Sequence, residues 1–340
     1  MIKPLSGLLF GGIIVALVVL AWLVIPAEQE TGGTSEKSVV QLDPALDAIV
    51  DLDAKLELLS DDFPHTSRPS TEGPVWIDSS EEPDGGYFLF TDSRRTRLAR
   101  WSTRAGLTGA YDLQEMLGEL DPARSSSSGL ALDPQGRVVF CSSGRHAVVR
   151  IEEDGTPTIL AESYDGKRLD NPNDLTIAAD GSIYFTDNAR EETREMPPAV
   201  YLLKDGDLTP LIIDLTAPNG ITLSPDGKVL YVNDIRPRKM YRYEVQPDGS
   251  VANGRLFVDM SGREVPGGND GMRTDRNGNL YTSGPGGVWI ISPDGKHLGT
   301  ILTPDRITNL TFGGDDGKTL FMTAHASIFR IRLKASGWRL

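Results

Sequence analysis

Ala179-Asp180-Gly181-Ser182-Ile183-Tyr184-Phe185-Thr186-Asp187 and Ser224-Pro225-Asp226-Gly227-Lys228-Val229-Leu230-Tyr231-Val232 lie 46 residues apart and share one form, a turn closed by glycine and then a short apolar strand. The form recurs at Gly86, Gly136, Gly278 and Gly317, so six turn glycines follow one another at intervals of 50, 45, 46, 51 and 39 residues. A unit made of strand, turn and strand cannot bury its own apolar face and must stack against copies of itself. Weaker turns at Asp154-Gly155, Asp205-Gly206, Asp248-Gly249 and Asp294-Gly295 fall between the main ones and mark outer hairpins. Six units of four strands fill residues 55–340, which predicts an all-β, six-bladed β-propeller. A ring has to be closed. Lys55-Leu56-Glu57-Leu58-Leu59 alternates well enough to be a strand, and the last unit ends on Ser327-Ile328-Phe329-Arg330-Ile331-Arg332-Leu333. The N-terminal strand is therefore expected to complete the sixth blade.

Net charge and cysteine use narrow the function classes. A formal charge of −14 argues against nucleic acid, which demands basic surfaces, and suits an extracytoplasmic protein or a cation binder. Cys141 is the sole cysteine, so no intrachain disulfide and no thiolate metal framework can form. In Val138-Val139-Phe140-Cys141 it reads as a small buried hydrophobe. Residues 5–25 carry no charge, follow Lys3 and precede Pro26. The run is long enough to span a bilayer and longer than the usual apolar region of a signal peptide. Residues 1–26 are read as a transmembrane signal anchor, or as a signal peptide cleaved after Ala21. Lys3 on the short side places the propeller outside the cytoplasm, periplasmic or secreted, with membrane contact through this helix alone. Residues 27–54 are read as an acidic linker holding a short helix near 44–52, and the propeller is read as a monomer.

The repeat also locates a site. Eight residues before the turn glycines stand Ser128, Asn173, Asn219, Asp270 and Asn309. In the first unit residues 79–84 lengthen the hairpin, and aligning Glu72-Gly73-Pro74 with Asn219-Gly220-Ile221 and Asp270-Gly271-Met272 puts Glu72 at the same position. One blade position thus holds Glu, Ser, Asn, Asn, Asp and Asn, all with side-chain oxygen, and equivalent positions on radial blades converge on the propeller axis. Glu72, Asn173, Asn219 and Asp270 offer two carboxylates and two amide carbonyls. Such hard oxygen ligands suit Ca2+ first, with Mg2+ or Mn2+ next and Zn2+ less so. Ser128 and Asn309 are assigned to the pocket wall. Taken singly, Asn, Asp and Ser before Gly are ordinary turn residues; the shared register is what points to a cation. No Gly-x-Ser-x-Gly elbow is present, and His65, His146, His297 and His325 show no metal spacing. His297 reads as a solvated turn residue and His146 as structural.

Thr71-Glu72-Gly73-Pro74-Val75-Trp76, Asp170-Asn171-Pro172-Asn173-Asp174-Leu175, Ser182-Ile183-Tyr184-Phe185-Thr186-Asp187, Pro218-Asn219-Gly220-Ile221 and Asn269-Asp270-Gly271-Met272 resemble, in order, the signatures of the senescence marker protein/gluconolactonase family, which includes regucalcin and bacterial sugar lactonases. The resemblance implies a six-bladed propeller with one catalytic divalent cation at the channel mouth. It implies that Glu72, Asn219 and Asp270 are direct ligands, that Asn173 is a ligand or substrate contact, and that Asp270 is the general acid/base. It also places a substrate-contacting Glu near Glu191. Ser128, where the family often has Asn, and the stretch after Asp187 depart from the family pattern, so the substrate walls differ while the metal residues match. Three functions are expected from these residues: a calcium-dependent hydrolase opening a sugar lactone; a phosphotriesterase or arylesterase with the same site, as in the diisopropyl fluorophosphatase and paraoxonase propellers; or a non-catalytic, membrane-tethered propeller binding a protein partner. The first is preferred, with a small-molecule lactone or ester as the partner.

Overall fold

The computed structural model describes residues 37–339 apart from 67, 125, 189–195 and 264. Both the 5–25 apolar run and Glu191 lie outside the described residues. Among the described residues, no helix is long and apolar enough to cross a membrane.

Six antiparallel sheets follow one another along the chain. Their innermost strands are Thr71–Asp78, Leu130–Leu132, Pro172–Ile177, Pro218–Leu223, Met272–Thr274 and Ile307–Gly313, for blades one to six. Blades one to four are four-stranded meanders, with neighbouring strands hydrogen-bonded in chain order. The glycines at 136, 181, 227, 278 and 317 take positive φ in the turns after the innermost strands, a conformation open to glycine at no steric cost. In blade one the left-handed residue is Gly85, with φ +74, one position before the glycine expected from the repeat. Gly86 begins the next strand instead. A Cβ there would lie 2.7 Å from the Trp76 indole nitrogen, so its glycine serves close packing rather than the turn.

The sixth blade contributes only three strands of its own, and Leu56–Ser60 supplies its outer strand, with Leu56 opposite Ile331 and Leu58 opposite Phe329. The expected closure is present. A second N-terminal strand was not anticipated. Val39–Gln41 pairs antiparallel with His297–Leu302 as a fifth strand of blade five, with Val39 opposite Ile301. The 3-10 helix Pro44–Ala48 follows, capped by the Asp43 carboxylate on Ala45 N–H, and sets Leu46 against blade five with no exposed surface. Residues 39–50 of the stretch expected as linker are therefore docked. Val39, Leu46, Ile49 and Val50 are buried in the core shared with blades five and six, and that burial opposes the cost of ordering the segment.

The core lies between blades. Trp76 and Phe88 of blade one stack on Phe321 of blade six at 5.0 and 5.2 Å between ring centres, sealing the junction that closes the ring. Cys141 is fully buried between blades two and three. His297, expected in solvent, is stacked on Trp289 at 3.8 Å and bonded through Nε2 to Gly299 O and Thr300 Oγ1. Burial holds its imidazole down at about 4, so it is neutral at physiological pH.

Candidate active site

Each residue of the oxygen-bearing register sits at, or two positions before, the start of an innermost strand: Glu72 in blade one, Ser128 in two, Asn173 in three, Asn219 in four, Asp270 in five and Asn309 in six. Neighbouring copies interlock. Glycine follows the register residue in blades one, two, four and five, and there the next blade passes too close for a side chain. A Cβ on Gly220 would stand 1.9 Å from Asp270 O, and one on Gly73 would stand 1.7 Å from Ser128 O. The second strands complete the lattice. Thr91 Oγ1 donates to Ser128 O, Thr186 Oγ1 to Asn219 O and Asn233 Nδ2 to Asp270 O, at 3.0, 2.8 and 2.7 Å. In this way a buried polar group from each of these blades satisfies the backbone that presents the next blade's site residue. Thr308 Oγ1 to Thr71 O, at 2.9 Å, joins blade six back to blade one.

Asp174 occupies the place that glycine takes in blades one, two, four and five, and sequence reasoning passed over it as part of a motif. Its carboxylate is buried and accepts from Leu175 N–H at 2.9 Å and Asn309 Nδ2 at 3.2 Å. Burial pushes it up to about 6, against the pull of the Arg273 guanidinium and these hydrogen bonds. Glu72, bonded to Gly73 N–H at 2.6 Å, is held well above the ordinary carboxylate range by burial and then by the charges of Asp270 and Asp174. Three carboxylates therefore share one region. The guanidiniums near them are Arg273 and Arg306. Arg306 Nη2 lies 3.2 Å from Asp270 Oδ2, with its own side chain 40% exposed at the mouth. Arg273 reaches from blade five to Leu130 O of blade two, at 3.2 Å, and so crosses the propeller axis. Beyond it, at the opposite end of the channel, lies a cavity of about 580 Å³ lined by innermost strands of all six blades.

Glu72 is held up by burial and then by the charges of Asp270 and Asp174, and Asp174 by burial with a smaller push from Asp270, so an added positive charge would be favourable here. Among the described residues no three His, Cys, Asp or Glu side chains form a metal-holding group. A cation here would need amide and water oxygens beside two carboxylates, the coordination that calcium accepts. Asn173 and Asn219 are buried at this register and could supply such amides, so the residue types fit that chemistry. The Asn309 amide is engaged with Asp174 and with Leu310 N–H. Ser128 is buried, its N–H bonded to Cys141 O.

A six-bladed ring with an acidic, amide-lined mouth defines the class, and comparison with known proteins agrees. Residues 70–326 match the SMP-30/Gluconolactonase/LRE-like region, and the chain belongs to that family. It is similar to the gluconolactonase of Zymomonas mobilis, with 30% identity over 92% of this chain and 90% of the relative. It is likewise similar to the solved structure of a gluconolactonase from Xanthomonas campestris, at 31% identity and a TM-score of 0.72, covering 87% of this chain and 94% of the other. A solved putative gluconolactonase gives 30% identity and a TM-score of 0.73, over 89% of this chain and the whole of that one.

Proposed function

We propose that the protein is a calcium-dependent sugar lactonase that opens an aldono-1,5-lactone to its hydroxy acid at the mouth formed by blades one and three to six. The enzyme class is that of its relatives, carboxylic-ester hydrolysis of a lactone. The observation that carries the finer reading is the convergence of Glu72, Asp174 and Asp270, whose charges disfavour one another in the absence of a cation.

In this reading Glu72, Asn173, Asn219 and Asp270 hold the divalent ion. When bound, the ion supplies Lewis-acid polarisation of the lactone carbonyl. The remaining chemistry belongs to the chain. Asp270 receives a proton from the attacking water at a carboxylate oxygen and returns it to the ring oxygen released when the lactone C–O bond breaks, and Arg306 orients that carboxylate through Oδ2. Asn309 acts through Asp174, holding its Oδ2 in place, while Arg273 keeps part of the carboxylate charge compensated from below. Asn173, Ser128 and Glu191 are assigned to substrate contact, Glu191 on the resemblance alone. The 1–26 segment is proposed to direct a monomeric propeller to the extracytoplasmic side, either tethering it there as an anchor or being cleaved as a signal peptide.

The test is to strip the protein with chelator and assay glucono-1,5-lactone, other aldonolactones, an aryl ester and a phosphotriester with Ca2+, Mg2+, Mn2+ or Zn2+ restored. Calcium-restored turnover of aldonolactones above the other esters is expected. Turnover confined to the phosphotriester or aryl ester would overturn the substrate assignment.

A further inference from the structure

His146 is 4% exposed, in the loop between the second and third strands of blade two, with φ +59. Its Nδ1 lies 2.8 Å from Asp170 O. That carbonyl can only accept, so Nδ1 carries the hydrogen and the neutral ring presents a lone pair at Nε2. Burial, and then the Arg168 charge, hold the imidazole below its ordinary range, consistent with the neutral form. Nε2 is buried and makes no hydrogen bond; Asp121 Oδ2 stands 3.8 Å away, and it too is an acceptor. A buried ring nitrogen facing an acceptor across that gap calls for a donor between them.

Beside this pair lies a pocket of about 560 Å³ on the same face of the ring as Asn173. It is walled by the segment joining blade one to two, by the His146 loop and by the ribbon of Ser163–Tyr164 and Lys167–Arg168 that leads into blade three. The wall alternates functions. Arg168 and Arg145 donate, the latter already paired with Glu162 at 3.5 Å, Glu119 and Asp121 accept, Leu120 gives an apolar patch, and His146 lies in the wall with its Nε2 buried behind it. Such a mixture of donors, acceptors and a small apolar surface suits a pyranose, whose hydroxyls both give and take hydrogen bonds while its C–H face packs on carbon. A simple anion would leave the acceptors opposed, and an apolar ligand would leave the polar groups unsatisfied. The pocket also lies within reach of the mouth. Asp170, which holds His146, is three residues before Asn173, a span of at most ~10 Å in extended chain.

We propose that this pocket is a glycosyl subsite, so that the preferred substrate is an aldonolactone bearing a further sugar residue, seated between His146, Asp121 and Arg168. The substrate part of this inference rests on the lactonase reading; the binding part does not.

Calorimetric titration of the full, calcium-loaded chain with maltobionate (a glucosyl gluconate) and with gluconate tests the subsite without turnover. Two or three added hydrogen bonds predict maltobionate binding about tenfold or more tighter. Arg168→Ala, at an exposed residue, and His146→Gln should each bring the ratio towards one. Equal affinities in the wild-type protein would overturn the subsite. So would a preference that Arg168→Ala leaves intact in a folded protein. A maltobionate preference in a protein that hydrolyses no lactone would sink the lactonase reading and retain the subsite.

Discussion

Asp174→Asn separates the electrostatic account of the site from a purely structural one, because the two predict opposite changes in stability. Asp174 is raised from 3.8 to about 6 by burial. A carboxylate with a raised folded-state pKa contributes fully to stability below its unfolded value, and that contribution is lost as pH rises through the folded value. Between about pH 4 and pH 6 the cation-free protein should therefore lose on the order of 3 kcal/mol to this group. Replacement by Asn removes the penalty. It keeps an oxygen for Leu175 N–H, but its amide nitrogen opposes Asn309 Nδ2, which has to turn over at a cost of about 1 kcal/mol. The net gain at pH 7 is about 2 kcal/mol, or about 3 °C for a domain of this size. With calcium present the sign should reverse. Losing one negative charge weakens the ion, and each tenfold loss of affinity removes about 1.4 kcal/mol of ligand stabilisation. The assay is thermal unfolding of both proteins in chelator and in calcium, at pH 7 and pH 4. A variant less stable than the wild type in chelator at pH 7 would refute the reasoning.

Gly220→Ala should destabilise the protein by about 3 kcal/mol or more, since the new methyl meets Asp270 O at 1.9 Å and must part blades four and five; an unchanged melting temperature would show that the junction yields. Removing residues 1–36 leaves every described element in place, whereas removing 1–50 takes away the buried Val39, Leu46, Ile49 and Val50, and removing 1–61 also takes the strand paired with Ile328–Arg332. Melting temperatures should fall in that order, and three equal values would contradict the docking of both segments. Asp270→Asn should lower lactone hydrolysis by ~10²-fold or more even at saturating calcium, as loss of a general base does. Full recovery at high calcium would make Asp270 a ligand alone.

The propeller was legible because its turns are enforced. Five of the six repeat glycines need positive φ, and such positions leave a fixed mark in the sequence. The sixth was displaced by one residue because residues 79–84 lengthen the hairpin and Gly86 is demanded by Trp76 instead. Closure by Leu56–Ser60 could be read from alternation. Val39–Gln41 could not, since three residues carry no period and the surrounding composition is that of a linker. The site register was visible as a repeated oxygen, but its charge balance was not. Asp174 breaks the glycine pattern of Gly73, Gly129, Gly220 and Gly271, a signal visible on alignment of the units. Arg273 and Arg306 lie three residues either side of register positions, and nothing in their local sequence announces that one crosses the axis and the other meets Asp270.

The cation site itself is tested most directly by calorimetric titration of calcium into the chelated wild-type protein and into Glu72→Ala. Removing one of two charged ligands from a site otherwise built of amides should leave the wild type binding calcium and the variant showing no measurable heat under the same conditions. Undiminished calcium affinity in Glu72→Ala would mean that blade one does not contribute to the site and that the shared register is not a ligand set.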